Sequence, residues 1–352
     1  EQDIDVEPEW EESLTIVRLC SLYELFAQLK QHHGADIAYI GGHADIATSL
    51  GIDKSLINPK RLLAYLDFSR AVKTDYELEQ LRAANRLALL GHAAAKARFL
   101  EGGSEYEIHM AFLQTTQNLE DECPYTNIVA LNEKAAILHY QFKRKINENK
   151  GEVLLIDAGC KVRAYASDIT RTSVSEDAHP EFRSLVTAME TLELALVDEV
   201  KPGKTYQSLH ASTLTRIASV LVDHNICKGE PADLIERNIP QLFMPHGVGH
   251  LLGIQVHDVA GHQADINGTI LSPPENSPAL RNTRLMEVNM VFTVEPGLYF
   301  IPLILETERG SDRGKLINWN TVDELYPCGG IRIEDNIRVT SDGAENLTRQ
   351  FE

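Results

Sequence analysis

The sequence predicts an α+β domain in which two helix pairs lie over a curved antiparallel or mixed sheet, preceded by a small α/β segment. Three observations predict it. Short runs rich in apolar residues, Val153-Leu154-Leu155-Ile156, Val291-Phe292-Thr293-Val294 and Ile331-Arg332-Ile333, each end on a carboxylate and adjoin glycine, the pattern of a buried strand closed by a turn. Helical start signals and spacing recur in two separate stretches, one before the first run and one between the first and the second. The resulting order, helix pair, strands, helix pair, strands, stacks two halves over one sheet.

In chain order, residues 1–72 read as the small α/β segment, with a strand at 15–19, a helix at 23–32 and a strand at 37–40. The main domain is expected over residues 73–352. It opens at Lys73-Thr74-Asp75, where a Thr or Asp cap precedes apolar positions Leu78, Leu81, Ala84 and Leu87 to Leu90. Gly102-Gly103 stops that helix, and Ser104 with Glu107 offers a capping box for the next. The run ending at Asp157 turns at Ala158-Gly159, and a strand around Tyr165 to Thr172 is expected to carry Asp168 back beside it. Helices follow at about 180–200 and 205–224, parted by Lys201-Pro202-Gly203. The later strands end at Glu295, before Pro296-Gly297, and at Glu334, after Gly329-Gly330.

Composition narrows the function. The chain has 352 residues, 43% hydrophobic and 24% charged, enough for one large domain and a smaller one. A net charge of −19 argues against nucleic acid or an anionic membrane surface as partner. No apolar stretch of about 18 residues offers a transmembrane helix, and no N-terminal signal peptide is visible. Five scattered cysteines, Cys20, Cys123, Cys160, Cys227 and Cys328, form no CxxC pair and read as reduced thiols, so a cytoplasmic setting is expected. There is no HExxH helix, phosphate loop or GxSxG elbow.

Asp157, Asp168, His250, Glu295 and Glu334 read as one metal site. Four carboxylates and an imidazole form a hard, oxygen-rich set that suits Mn²⁺, Mg²⁺ or Co²⁺ better than a thiolate-seeking ion. Ionised together, the four acids repel strongly. Two divalent cations cancel a charge of −4 and one does not, so two metals are expected. His246 and His257 flank His250 among Gly247, Gly249 and Gly253, which allow close backbone approach and argue against a helix face.

The segments PYTNIVALNEKAAILHY, FMPHGVGHLLGIQVHDVAGH, LRNTRLMEVNMVFTVEPGLYF and GGIRIEDNIRVTSDGAENLTR resemble the metal-dependent peptidases of the pita-bread fold. That group holds methionine aminopeptidase, aminopeptidase P, creatinase and prolidase. Within it the segments are most similar to bacterial Xaa-Pro dipeptidases and organophosphorus acid anhydrolases. The likeness runs from about residue 70 to the C-terminus. It implies a pita-bread (creatinase/aminopeptidase-like) catalytic domain, and residues 1–72, which open at Glu1 without a methionine, are expected to be a remnant of a larger N-terminal α/β domain. The implied activity is hydrolysis of Xaa-Pro dipeptides through two Mn²⁺ and a shared hydroxide, with Co²⁺ or Mg²⁺ as substitutes. Side activity on organophosphorus triesters is implied too, and the alternatives are an aminopeptidase P-like enzyme or a dedicated organophosphorus acid anhydrolase. A homodimer acting on small dipeptides is expected.

The resemblance also assigns roles. Asp168 and Glu334 bridge the ions, Asp157 completes one, and His250 with Glu295 completes the other. Glu295 also moves the proton, and His257 and His246 act in the chemistry. His139, Arg281, Arg332 and Tyr125 are expected to bind substrate, with Arg281 gripping the C-terminal carboxylate; the alternative for Tyr125 is a simple buried aromatic. Arg332, two residues before Glu334, points to the same side of a strand. Arg284 reads instead as a structural ion pair.

Overall fold

A computed structural model describes residues 37–49, 51–147 and 150–352. The chain divides into two compact units, Glu1–Leu63 and Ala64–Glu352. In the first, helix α1 (Ala44–Ser49) is followed by a single turn capped by Asp53, whose carboxylate accepts the Ser55 amide. The strand expected at 37–40 is only an isolated bridge, Tyr39 to Ile57, because the chain turns away at Gly41-Gly42. The strand and helix expected at 15–19 and 23–32 lie outside the described residues.

Helix α2 (Lys60–Arg70) spans the division between the units, and in the second unit α3 (Asp75–Leu100) and α4 (Glu105–Thr116) follow. Both of the latter begin with full capping boxes, Thr74 with Glu77 and Ser104 with Glu107, which satisfy amides that the first helical turn leaves open. Their buried faces (Ala88, Ala95 and Phe99; Ile108 and Phe112) pack on Val129, Leu131, Leu154 and Ile156. The last four residues sit on strands β1 (Ile128–Leu131) and β2 (Val153–Asp157). Burying one such aliphatic or aromatic side chain is worth about 1.5–3 kcal/mol.

Strand β2 is the centre of an antiparallel sheet, β1-β2-β5, with β5 spanning Thr170–Val174. Side chains alternate across it. Leu154 and Ile156 meet the helices, so Leu155 and Asp157 face the other way, where Leu155 packs beside Tyr299. The single strand expected from Tyr165 to Thr172 is broken. A small hairpin, β3 (Lys161–Val162) with β4 (Tyr165–Ala166), turns through Arg163 (φ 50°) and Ala164 (φ 71°), and Ser167 to Ile169 leave the ladder before β5. The break rests on Gly159, where an added Cβ would lie 2.0 Å from the Ser167 carbonyl oxygen.

The second half repeats the plan. Helices α5 (Pro180–Val197) and α6 (Tyr206–Asp223), close to their expected bounds, pack Phe182, Met189 and Ile217 on Phe292, Ile331 and Ile337. Those residues sit on β6 (Val291–Val294), β8 (Gly330–Arg332) and β9 (Asp335–Val339). Antiparallel pairing joins β6, β9 and β10 (Ala344–Asn346), and joins β7 (Gly297–Tyr299) to β8. An isolated bridge, Thr170 to Glu334, brings the two halves' strand ends together.

Candidate metal centre

Four strand ends and one loop deliver the five candidate ligands to one cavity. Asp157 ends β2, Glu295 follows β6, and Asp168 and Glu334 occupy the breaks before β5 and β9. Asp168 is fixed at its backbone, whose amide donates to Asn336 Oδ1 at 3.1 Å. His250 comes from the segment paired to β6, with the Thr293 amide donating to its carbonyl at 2.9 Å and the Leu251–Phe292 bridge beside it. One ligand atom each from Asp168, His250 and Glu334 lie within 4.8 Å of one another. The cavity, about 540 Å³, is also lined by Asp157, Glu295, Tyr125, His139, His246, His257, Arg281 and Arg332, so all eleven candidate site residues meet there.

The residues fit a divalent cation. His250 Nδ1–H donates to the Leu251 carbonyl at 3.0 Å, which aims Nε2 at Asp168, 3.3 Å away, and Glu295, 3.6 Å away; once deprotonated, that nitrogen is free to take a cation. Asp157 Oδ1 is buried and takes no hydrogen bond among the described residues. Burial and crowding set the acids' protonation. Asp157 is pushed up to about 6 by burial, with Asp168 adding and Arg332 opposing. Burial likewise pushes Glu295 up to about 7. Glu334 stands well above the ordinary range, from burial and then from Asp168, Glu295 and Asp157. Burial also acts on Asp168, but the hydrogen bond and charge of His250 outweigh it and hold this acid low. Such a set holds protons that a hard cation displaces.

Arg332 is more deeply engaged than its expected role suggests. Only 5% exposed, it donates from Nη2 to Asp157 Oδ2 at 2.6 Å, from Nη1 to the Tyr299 hydroxyl at 3.1 Å and from Nε to Thr170 Oγ1 at 3.1 Å. The Thr170 hydroxyl donates in turn to Glu334 Oε2 at 2.6 Å. Tyr299 donates to His246 Nε2 at 2.9 Å, and His246 Nδ1–H donates to the Gly247 carbonyl at 2.7 Å. Burial and the Arg332 charge hold His246 down at about 3, so its imidazole is neutral. Tyr299 and Thr170 were not among the expected site residues. Two-residue alternation from Asp168 marks Thr170, whereas Tyr299 gives no local signal beyond its place after Glu295.

The remaining residues line the mouth. Arg281 is exposed, and its side chain makes no ion pair or hydrogen bond among the described residues. His139 is also exposed, and the His257 ring stands edge-on to His250 at 4.4 Å. The buried Tyr125 hydroxyl is raised well above its ordinary value by burial and then by Asp157, Asp168 and Glu334. Arg284 lies apart, paired with Glu287 at 3.0 Å and stacked on Phe68 at 3.6 Å, the structural role expected of it.

The profile of metallopeptidase family M24 matches residues 79–341. A Xaa-Pro dipeptidase of Shewanella oneidensis is 45% identical over 97% of this chain and 77% of its own length. Another, from Pseudoalteromonas atlantica, is 46% identical over 89% of this chain and 71% of its own. The fold is similar to zinc-substituted Escherichia coli aminopeptidase P in complex with product, with TM-score 0.74, 27% identity, and coverage of 97% of this chain and 74% of that one. The same enzyme with the inhibitor Pro-Leu gives 0.74 at 26% identity over 96% of this chain and 73% of that one. The chain therefore belongs to metallopeptidase family M24 and has its pita-bread fold.

Proposed function

We propose that this protein is a Xaa-Pro dipeptidase, hydrolysing the bond between an N-terminal residue and a C-terminal proline. The observation that carries the reading is the length of the likeness to Xaa-Pro dipeptidases, 45% identity over 97% of the chain, with every ligand-type residue in one cavity. Asp157, Asp168, His250, Glu295 and Glu334 would hold two Mn²⁺, for which Co²⁺ or Mg²⁺ are chemically reasonable substitutes. When bound, the cations supply Lewis-acid polarisation and acidify a water.

The chain's own residues do the rest. Glu295, directly after β6 in the cavity wall, is placed to take a proton from the attacking water and return it to the prolyl nitrogen. That nitrogen is tertiary in the peptide and must gain a proton to leave. His257 at the mouth donates to the developing oxyanion. His246, kept neutral by burial and the Arg332 charge and held in direction by Tyr299 and Gly247, lines the substrate pocket beside Glu295, from which its Nδ1 is 3.9 Å. Arg281 with His139 receives the free carboxylate, a match suited to guanidinium. Arg332 and Tyr125 steady the acid cluster and the substrate beside it.

A cytoplasmic homodimer acting on small dipeptides completes the reading. Four buried free cysteines support a reducing setting, and no helix among the described residues is long and apolar enough to cross a membrane. Organophosphorus triesters are proposed as side substrates of the same cavity. The test is hydrolysis of Gly-Pro and Leu-Pro by chelated protein before and after Mn²⁺ is restored. Loss on chelation and recovery with Mn²⁺ is expected; full turnover in excess chelator overturns the metallopeptidase mechanism.

A further inference from the structure

We infer that Asp258, held by a buried ion pair with Lys73, is a positioning residue that sets the imidazole of His257 over the reaction centre. The inference rests on the catalytic role proposed for His257. His257 sits at the cavity mouth, with its ring against His250 but, among the described residues, with no hydrogen bond from either ring nitrogen to hold its direction. Its orientation must come from the backbone, and the next residue is the best-anchored point of that loop.

Asp258 is tied on four sides. Its amide donates to the Leu251 carbonyl at 2.9 Å, the oxygen that also accepts His250 Nδ1–H. Its Oδ1 accepts the Val259 amide at 3.0 Å and Arg70 Nη2 at 2.6 Å. Its Oδ2 accepts from Lys73 Nζ at 3.2 Å, with the two side chains 2% and 1% exposed. Lys73 also donates to the Arg70 carbonyl, and its backbone amide donates to Asn289 at 2.9 Å. Val72 bridges Met290, the residue before β6. The ion pair therefore fastens the loop from His250 to His257 to the strand that carries Glu295. Gly253 makes room for it: a Cβ there would lie 2.4 Å from Asp258 Oδ2 and 2.9 Å from Lys73 Nζ.

A buried lysine is costly without a partner. This one grips the residue beside a reacting histidine, which supports orientation; a displacement of about 1 Å can cost on the order of 100-fold in rate. The test is a double-mutant cycle on Mn²⁺-loaded protein, with Gly-Pro hydrolysis and metal content measured for Asp258→Asn, His257→Ala and the pair. Expected are a fall in kcat of about 10- to 100-fold for Asp258→Asn with KM and metal content held, and a double variant no slower than His257→Ala. If the double variant loses a further factor equal to that of Asp258→Asn alone, the residue is merely structural and the inference fails. Unchanged kcat in Asp258→Asn also overturns it. If His257→Ala leaves kcat unchanged, the fault lies with the role given to His257. Lys73→Met, which removes the buried charge and leaves Arg70 on Asp258, is the parallel arm should Asp258→Asn not fold, with the same non-additivity toward His257→Ala expected.

Discussion

Replacing Arg281 by alanine should separate substrates that carry a carboxylate from those that do not. Arg281 lines the cavity mouth, is exposed, and has no side-chain hydrogen bond or ion pair among the described residues, so its removal leaves no buried partner there. Folding stability should change by no more than about 0.5 kcal/mol. A charge-assisted hydrogen bond to substrate is worth about 1.5–3 kcal/mol, and each 1.4 kcal/mol is about tenfold. Exposure and salt weaken such a contact, which places the loss at the low end, about tenfold. The assay is steady-state hydrolysis of Gly-Pro and of an uncharged phosphotriester by Mn²⁺-loaded protein. KM for Gly-Pro should rise about tenfold, and more at low salt than at high, while turnover of the triester stays within twofold. Arg281→Lys should recover only part of the loss, because an ammonium cannot pair bidentately. Equal loss on both substrates, or none on either, would refute the assignment.

Two further expectations follow from the acid cluster. Glu334→Ala should abolish turnover and lower bound metal, measured by elemental analysis after dialysis; full metal content would remove Glu334 from the ligand set. In metal-free protein, Asp157 and Glu295 are raised to about 6 and 7 and Glu334 well above its ordinary value, so the native state binds more protons than the unfolded chain. Stability must then fall as pH rises through these values. His250, also raised, loses stability in the same direction. The depressed His246 opposes only below about pH 6.5, the ordinary histidine value, above which it is neutral in both states. Urea melts from pH 6.5 to 8 should show the metal-free protein weakening with pH and Mn²⁺ removing that trend, with protons released on binding; a metal-free protein that strengthens over that range contradicts the cluster.

What the sequence made legible was local. The capping boxes at Thr74 and Ser104, the apolar runs ending at Asp157 and Glu295, and the helices after residues 180 and 205 all follow from spacing along one segment. The broken strand at Ser167 to Ile169 was not legible, because periodicity continues through it and only the close approach of Gly159 to Ser167 reveals the break. Long-range partners were hidden for the same reason. Arg332 finds Asp157 across 175 positions, and Lys73 finds Asp258 across 185. Spacing places Arg332 on the face of Glu334, but not the three acceptors that occupy its guanidinium.

The central claim is that this cavity cleaves dipeptides ending in proline, and substrate length tests it most directly. If Arg281 and His139 receive a free carboxylate, Gly-Pro-Ala places an amide where the anion belongs and leaves the charge unmatched. Side-by-side kcat/KM for Gly-Pro and Gly-Pro-Ala with Mn²⁺-loaded protein should favour the dipeptide by about tenfold or more. Comparable values on the two peptides would contradict the account and favour an aminopeptidase P activity.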